Sequence, residues 1–160
     1  MNGSHHAFER YEAIWLRVVL VMILVFLVLI AYTALNYGQT IPRGAGRIRA
    51  GEVRAGSEFA NPRLEQVGNE YVAYVQAFAF GYAPGEMRVK RGRKVTFYVA
   101  SPDVVHGFMI ERTNVNVEVV PGYVSKVGYT FDRPGTYKII CHQYCGLGHA
   151  KMLSRIVVEE

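Results

Sequence analysis

Hydrophobic and polar positions divide the chain into three stretches of different period. From Val18 to Leu35 eighteen residues run without a charge, VVLVMILVFLVLIAYTAL. Such a run is apolar on every face of a helix, unlike the striped helix that packs on a protein core. It extends about 27 Å, close to the hydrocarbon thickness of a bilayer. Trp15 before it and Tyr32 near its far end are aromatics of the kind that sit among headgroups. The run is longer than the apolar core of a cleaved signal peptide. The pattern therefore predicts an anchor segment over residues 1–36, with one membrane-crossing helix.

Residues 37–69 are rich in Gly, Arg and Pro, hold no sustained period, and read as a linker over the surface. From residue 70 to 160 the period shortens to two. Strands are predicted from Tyr71, over Lys94–Ala100 (KVTFYVA), Val115–Val120 (VNVEVV), Val124–Phe131, Thr136–Ile140 and Leu153–Val158. Pro84-Gly85, Arg91-Gly92, Pro121-Gly122 and Arg133-Pro134-Gly135 supply turns between them. Six to eight short strands in about 90 residues predict an all-β sandwich with Greek-key connections. The basic segment Arg88–Lys94 reads as a solvated hairpin tip, or as a docking patch.

Charge changes this picture little. The net charge of +5 is spread over both halves of the chain and forms no basic domain, which excludes nucleic acid as a partner. Arg10 and Arg17 precede the apolar run and Arg43, Arg47 and Arg49 follow it, so flanking charge does not orient the helix.

The chemistry is concentrated in one stretch. Both cysteines lie in C-H-Q-Y-C-G-L-G-H-A-K-M, Cys141 to Met152, spaced Cys-x3-Cys-x3-His-x2-Met, and His106 lies upstream in SPDVVHGF. A Cys141–Cys145 disulfide would leave His149 and Met152 without a role, and closing so short a loop restrains little chain. Zinc sites do not ordinarily use a thioether. Thiolate, imidazole and thioether together favour copper. A one-copper blue site needs a single cysteine. Two neighbouring thiolates can instead bridge two coppers, with His106 and His149 as terminal nitrogens, Met152 as a weak axial ligand to one copper and a carbonyl of the intervening loop to the other. No nucleophile–base pair is evident. No Cys-x-x-Cys-His is present either, so the chain carries no covalent heme. A membrane-anchored copper chaperone is the alternative from a different class.

With these residues in place, the sequence resembles the CuA domain of cytochrome c oxidase subunit II. The likeness runs through C-H-Q-Y-C-G-L-G-H-A-K-M, SPDVVHGF and QAFAFGYAPGEMRVKRG, over about residues 70–160. It is greatest to the single-helix subunit II of B-type heme–copper oxidases. The resemblance implies a cupredoxin β-barrel facing the periplasm or cell exterior, anchored in the plasma membrane by a single pass. It implies two copper ions, with Cys141 and Cys145 bridging, His106 and His149 terminal, Met152 axial to one copper and the Gln143 carbonyl axial to the other. Many relatives carry Glu at the Gln143 position, where its side chain serves a magnesium site; the copper role uses the backbone. His142 matches no ligand position and reads as a loop residue. The implied function is electron transfer from cytochrome c, or a similar soluble donor, to heme in subunit I, where oxygen is reduced to water with proton transport; service to a nitric oxide reductase of the same superfamily is the alternative. Phe78, Phe80 and Tyr82 alternate ahead of the first turn, as core residues or as an aromatic surface near the copper. Asp103 either orients His106 or caps a turn. Glu12, just before the membrane helix, matches a position near a proton channel.

Overall fold

The computed structural model describes residues 3–36 and 43–160, and the chain divides into two units, Met1–Gln39 and Thr40–Glu160. Helix α1 (Gly3–Asn36) makes up the first. Every side chain from Val18 to Leu35 is exposed, which an apolar helix tolerates in lipid but not in water. Its length and composition suffice to cross a membrane. At its end the Asn36 side-chain amide donates to the Tyr32 carbonyl, taking up one of the acceptors a helix terminus leaves free. Glu12, expected ahead of the helix, lies within it and is exposed.

The second unit is a two-sheet β-sandwich. Its elements in order are β1 (Arg43–Arg47), α2 (Ala50–Arg54), a 3-10 turn at Glu58–Ala60, β2 (Arg63–Val67), β3 (Glu70–Phe78), β4 (Gly81–Ala83), β5 (Glu86–Lys90), β6 (Lys94–Ala100), β7 (His106–Ile110), β8 (Asn116–Val119), β9 (Tyr123–Thr130), β10 (Gly135–Ile140), a second 3-10 turn at His149–Lys151, and β11 (Leu153–Glu159). One sheet runs β1-β9-β6-β3-β2, with β4 attached to β3; the other runs β5-β11-β10-β7-β8. Alternation places Ala73, Val75, Ala77, Val95, Phe97 and Val99 on the inner face of the first sheet. Phe108, Ile110, Ile139, Ile156 and Val158 face them from the second. The aromatic pair Phe97–Phe108 bridges the sheets, with ring centroids 5.5 Å apart.

Three expectations are corrected. The segment expected as a linker contributes β1, which pairs with β9, and β2, which pairs with β3. Between them Val53 and Phe59 are buried with Ala100 and Val124, and the Gln76 side chain donates to the carbonyls of both Val53 and Phe59. Single apolar anchors in short turns, and an edge strand held through its backbone, leave no periodic signal. The basic segment is not a hairpin tip. Glu86–Lys90 is a strand that pairs in parallel with β11 and buries Met87 and Val89, while Arg88 and Lys90 on its other face stay exposed, and the turn after it leads into the other sheet. Finally, Phe78, Phe80 and Tyr82 do not share a strand: β3 ends at Phe78, Phe80 sits in a tight turn, and Tyr82 belongs to β4.

Candidate metal centre

Two neighbouring strand ends create the site. β7 and β10 are antiparallel, with Ile110 opposite Ile139 and Met109 opposite Ile140. The start of β7 therefore meets the exit of β10, which brings His106 beside Cys141. The loop after Cys141 returns at Met152, closed by a bond from the Cys141 N–H to the Met152 carbonyl of 3.4 Å. Inside it, the His149 N–H donates to the Gly146 carbonyl at 3.1 Å. Gly146, at φ +125°, takes a backbone conformation that other residues rarely adopt.

This folding gathers sulfur, nitrogen and a carbonyl into one pocket. Both cysteines are free thiols, buried, with Sγ atoms 3.9 Å apart. A His106 ring nitrogen and the two Sγ atoms lie within 4.8 Å of one another. Met152 Sδ is 3.6 Å from Cys145 Sγ, and His149 Nδ1 is 3.7 Å from it. The Gln143 carbonyl lies 3.2 Å from Cys141 Sγ. All six residues singled out in the sequence thus converge. His142 is exposed and outside the cluster, its ring lying over Gly107.

The donor set fits a soft metal ion, and one atom asks for it. His106 is fully buried. Its Nε2 is 2.8 Å from Asp103 Oδ1, while its Nδ1 is buried with no hydrogen-bond partner. Leaving such an atom unpaired costs about 1–3 kcal/mol; a metal ligated through Nδ1 removes that cost. Burial, and then the neighbouring Cys141, push the Cys145 thiol up to about 11. Sulfurs this close and this buried would be held together as thiolates only by a cation between them. Thiolate, imidazole and thioether donors together select copper over zinc.

The residues around the ligands are held as firmly. Burial pushes the Asp103 carboxyl upward, but the Ala79 N–H, His106 and the Val104 N–H outweigh it and hold the group below its ordinary value. Those bonds measure 3.0 Å from Ala79 and 2.7 Å from Val104. Arg54 of α2 stands 3.8 Å from the same carboxylate. Tyr82 is buried, and its hydroxyl donates to the Gly107 carbonyl. Burial, then the charges of Cys141 and Cys145, push that hydroxyl far above its ordinary value, so it stays a proton donor. Phe80 lies over Gly146 and Gly148 in the cysteine loop. Phe78 is half-buried beside Gly81, and Glu12 lies in the helical unit. Gly107 and Arg54 escaped the sequence reading. A glycine directly after a candidate ligand histidine was a usable signal; Arg54, in an aperiodic segment, gave none.

Comparison with known proteins agrees with this geometry. Residues 85–160 match the family model described as cytochrome C oxidase subunit II, periplasmic domain. Cytochrome c oxidase subunit 2 of Thermus thermophilus is 50% identical over 164 residues, covering 99% of this chain and 98% of that protein. A nitrous-oxide reductase of Stutzerimonas stutzeri is 30% identical over 96 residues, which are 58% of this chain and 15% of the reductase. Among solved structures, a chain of a heme-copper terminal oxidase dimer superposes with a TM-score of 0.74 at 30% identity, covering 92% of this chain and 99% of that one. A likeness that runs through helix and sandwich alike, on top of a sulfur-rich cluster where the fold brings β7 and β10 together, leaves one conclusion: the chain belongs to the cytochrome c oxidase subunit II family, and its β unit is a CuA-type periplasmic domain.

Proposed function

We propose that this chain is the electron-uptake subunit of a terminal oxidase in the plasma membrane, held there by α1. His106, Cys141, Cys145, His149, Met152 and the Gln143 carbonyl hold two copper ions, with the cysteines bridging. The observation that carries this reading is the pair of free, buried sulfurs 3.9 Å apart beside an unpartnered histidine nitrogen. Bound copper supplies one-electron redox chemistry. The protein supplies a rigid cage: ligands fixed by strand ends and by a closed loop move little between oxidation states, and small reorganisation favours fast transfer.

The loop also offers a surface for the donor. Leu147 is 99% exposed and Tyr144 77%, directly outside the buried sulfurs. A soluble cytochrome c or similar donor docks on this apolar tip and passes electrons through the domain to heme in subunit I, which reduces oxygen. An apolar tip predicts that added salt slows reduction only weakly; a steep decline with salt would instead indicate charge steering.

Metal analysis with EPR tests the centre. Expected are two coppers per chain and the multi-line signal of one unpaired spin shared by both. Cys141→Ser and Cys145→Ser should each abolish that signal. A single exchangeable copper per chain, unaffected by either substitution, would refute the proposal and favour a copper chaperone.

A further inference from the structure

Gly107 is gripped from three sides. Its N–H donates to Cys141 Sγ at 3.4 Å. Its carbonyl accepts the Tyr82 hydroxyl. Its Cα face is covered by His142, whose backbone N would lie 2.5 Å from any Cβ placed there. The cause lies in the sheet. Continuing the β7–β10 register past Ile140 and Met109 would put Gly107 opposite His142, but the ladder stops before that pair. β10 has turned away to form the cysteine loop. The backbone groups of Gly107 that a continuing strand would have bonded are taken instead by a cysteine sulfur and a phenol.

The position demands glycine, because His142 leaves no room for a side chain. Glycine in turn gives the backbone its greatest rotational freedom next to ligand His106. The ladder with β8, which sets Gly107 opposite Glu118, holds the strand from one edge. On the edge that β10 has left, Tyr82 holds Gly107 from β4, its ring against Phe108 at a centroid distance of 5.9 Å.

We propose that Tyr82 is a positioning residue for the Cys141 sulfur: by holding the Gly107 carbonyl it keeps the Gly107 N–H aimed at Cys141 Sγ, and so raises the reduction potential of the copper centre. Hydrogen bonds to a ligand sulfur stabilise charge on it, and that charge is greater in the reduced state. The inference rests on the copper reading above. Its rival is that the Tyr82 bond only satisfies a buried phenol, as any buried tyrosine requires. Both readings predict some loss of stability when the hydroxyl is removed. Only the first predicts a change at the sulfur.

The full chain in detergent, loaded with copper, separates them. Tyr82→Phe keeps the ring and deletes the donor. Expected are unchanged copper content, a lower potential by redox titration, and shifted sulfur-to-copper absorption bands. In the wild-type chain, exchange into D2O should shift the copper–sulfur vibrations seen by resonance Raman, because the amide on Cys141 becomes N–D; the shift should shrink in Tyr82→Phe. An unchanged potential and unchanged bands in a copper-replete Tyr82→Phe chain would overturn the proposal. Should that variant not fold, absence of the wild-type isotope shift overturns the proposal, and fluorination of the Tyr82 ring, which keeps the side chain and strengthens the hydroxyl as a donor, replaces the deletion: a moved potential supports the proposal and an unmoved one overturns it. If the wild-type chain takes up no copper, the copper reading fails first. Amide exchange at Gly107 in the metal-free chain then tests the clamp alone: faster exchange in Tyr82→Phe supports it, and equal rates refute it.

Discussion

His106 and His149 bring the same imidazole to the cysteine sulfurs from two different kinds of structure, His106 near both and His149 beside Cys145. His106 opens a strand, is fully buried, and has its Nε2 tied to Asp103, which is itself bound by two backbone amides. His149 stands in a 3-10 turn, is half-buried, and has its ring 5.9 Å from that of the exposed Tyr144. The sandwich thus builds one half of the site and the loop lends the other. A strand-borne ligand is fixed by the fold as a whole. A loop-borne ligand is fixed by a few local bonds, and lies where a partner can approach.

The sharpest way to break this comparison is to delete each ring in turn. His106→Gly and His149→Gly should both weaken copper binding, by more than the roughly 10–100-fold that loss of an outer-shell partner costs. Added imidazole should then restore the copper spectrum of His149→Gly, because the vacated place opens to solvent. It should fail with His106→Gly, whose vacated place is enclosed. Equal rescue of both variants would show that the two halves do not differ in access.

The two glycines that serve the halves offer a second, smaller contrast. A Cβ on Gly107 would meet the backbone N of His142 at 2.5 Å, and a Cβ on Gly148 would meet the Phe80 side chain at 2.4 Å. Each alanine substitution should lose about 1–3 kcal/mol of stability from overpacking. The remedies differ. Phe80→Gly removes every atom of the obstacle to Gly148→Ala, including the Phe80 Cβ at 2.9 Å that alanine would keep, so the double variant should recover much of the loss in chemical denaturation. His142→Ala leaves the backbone atom in place and should not rescue Gly107→Ala. Rescue of both would mean that the strand half yields as readily as the loop half.

The same division governed what the sequence could disclose. Strand β6 was legible to the residue because KVTFYVA alternates and buries one face. Five of the six candidate ligands were legible because Cys141 to Met152 is a contiguous stretch with a specific spacing, and the sixth, His106, stood apart in SPDVVHGF. β7 (HGFMI) was not, since it is buried at four of its five positions and does not alternate. β4 is three residues long, and β1, of sequence RGAGR, pairs only by its backbone. The Asp103–His106 bond was half-visible, three residues apart in one loop. Tyr82 on Gly107 spans 25 residues between separate strands, and spacing alone could not have joined them.

The smallest expected effect lies just beyond the loop, where β11 begins after Met152. There Glu86 of β5 accepts from Arg155 of β11 at 2.5 Å, and Arg88 stands 2.6 Å from its other oxygen. The hydrogen bond from Arg155 is the chief cause that holds the Glu86 carboxyl below its ordinary value; slight desolvation opposes it, and the charges of Arg155 and Arg88 add to it. A depressed carboxylate pKa contributes stability above the unfolded-state pKa and loses it as pH falls through the folded one. Glu86→Gln should therefore be slightly less stable than the wild type at neutral pH, and the two should converge in acid. The difference stays small because the pair is solvent-exposed. Copper content and potential should not move, since β11 is already held by its ladder with β10 from Leu153 onward. A changed potential in Glu86→Gln would show that the loop half takes its geometry from the sheet edge, and the distinction between a strand-built and a loop-built half would no longer hold.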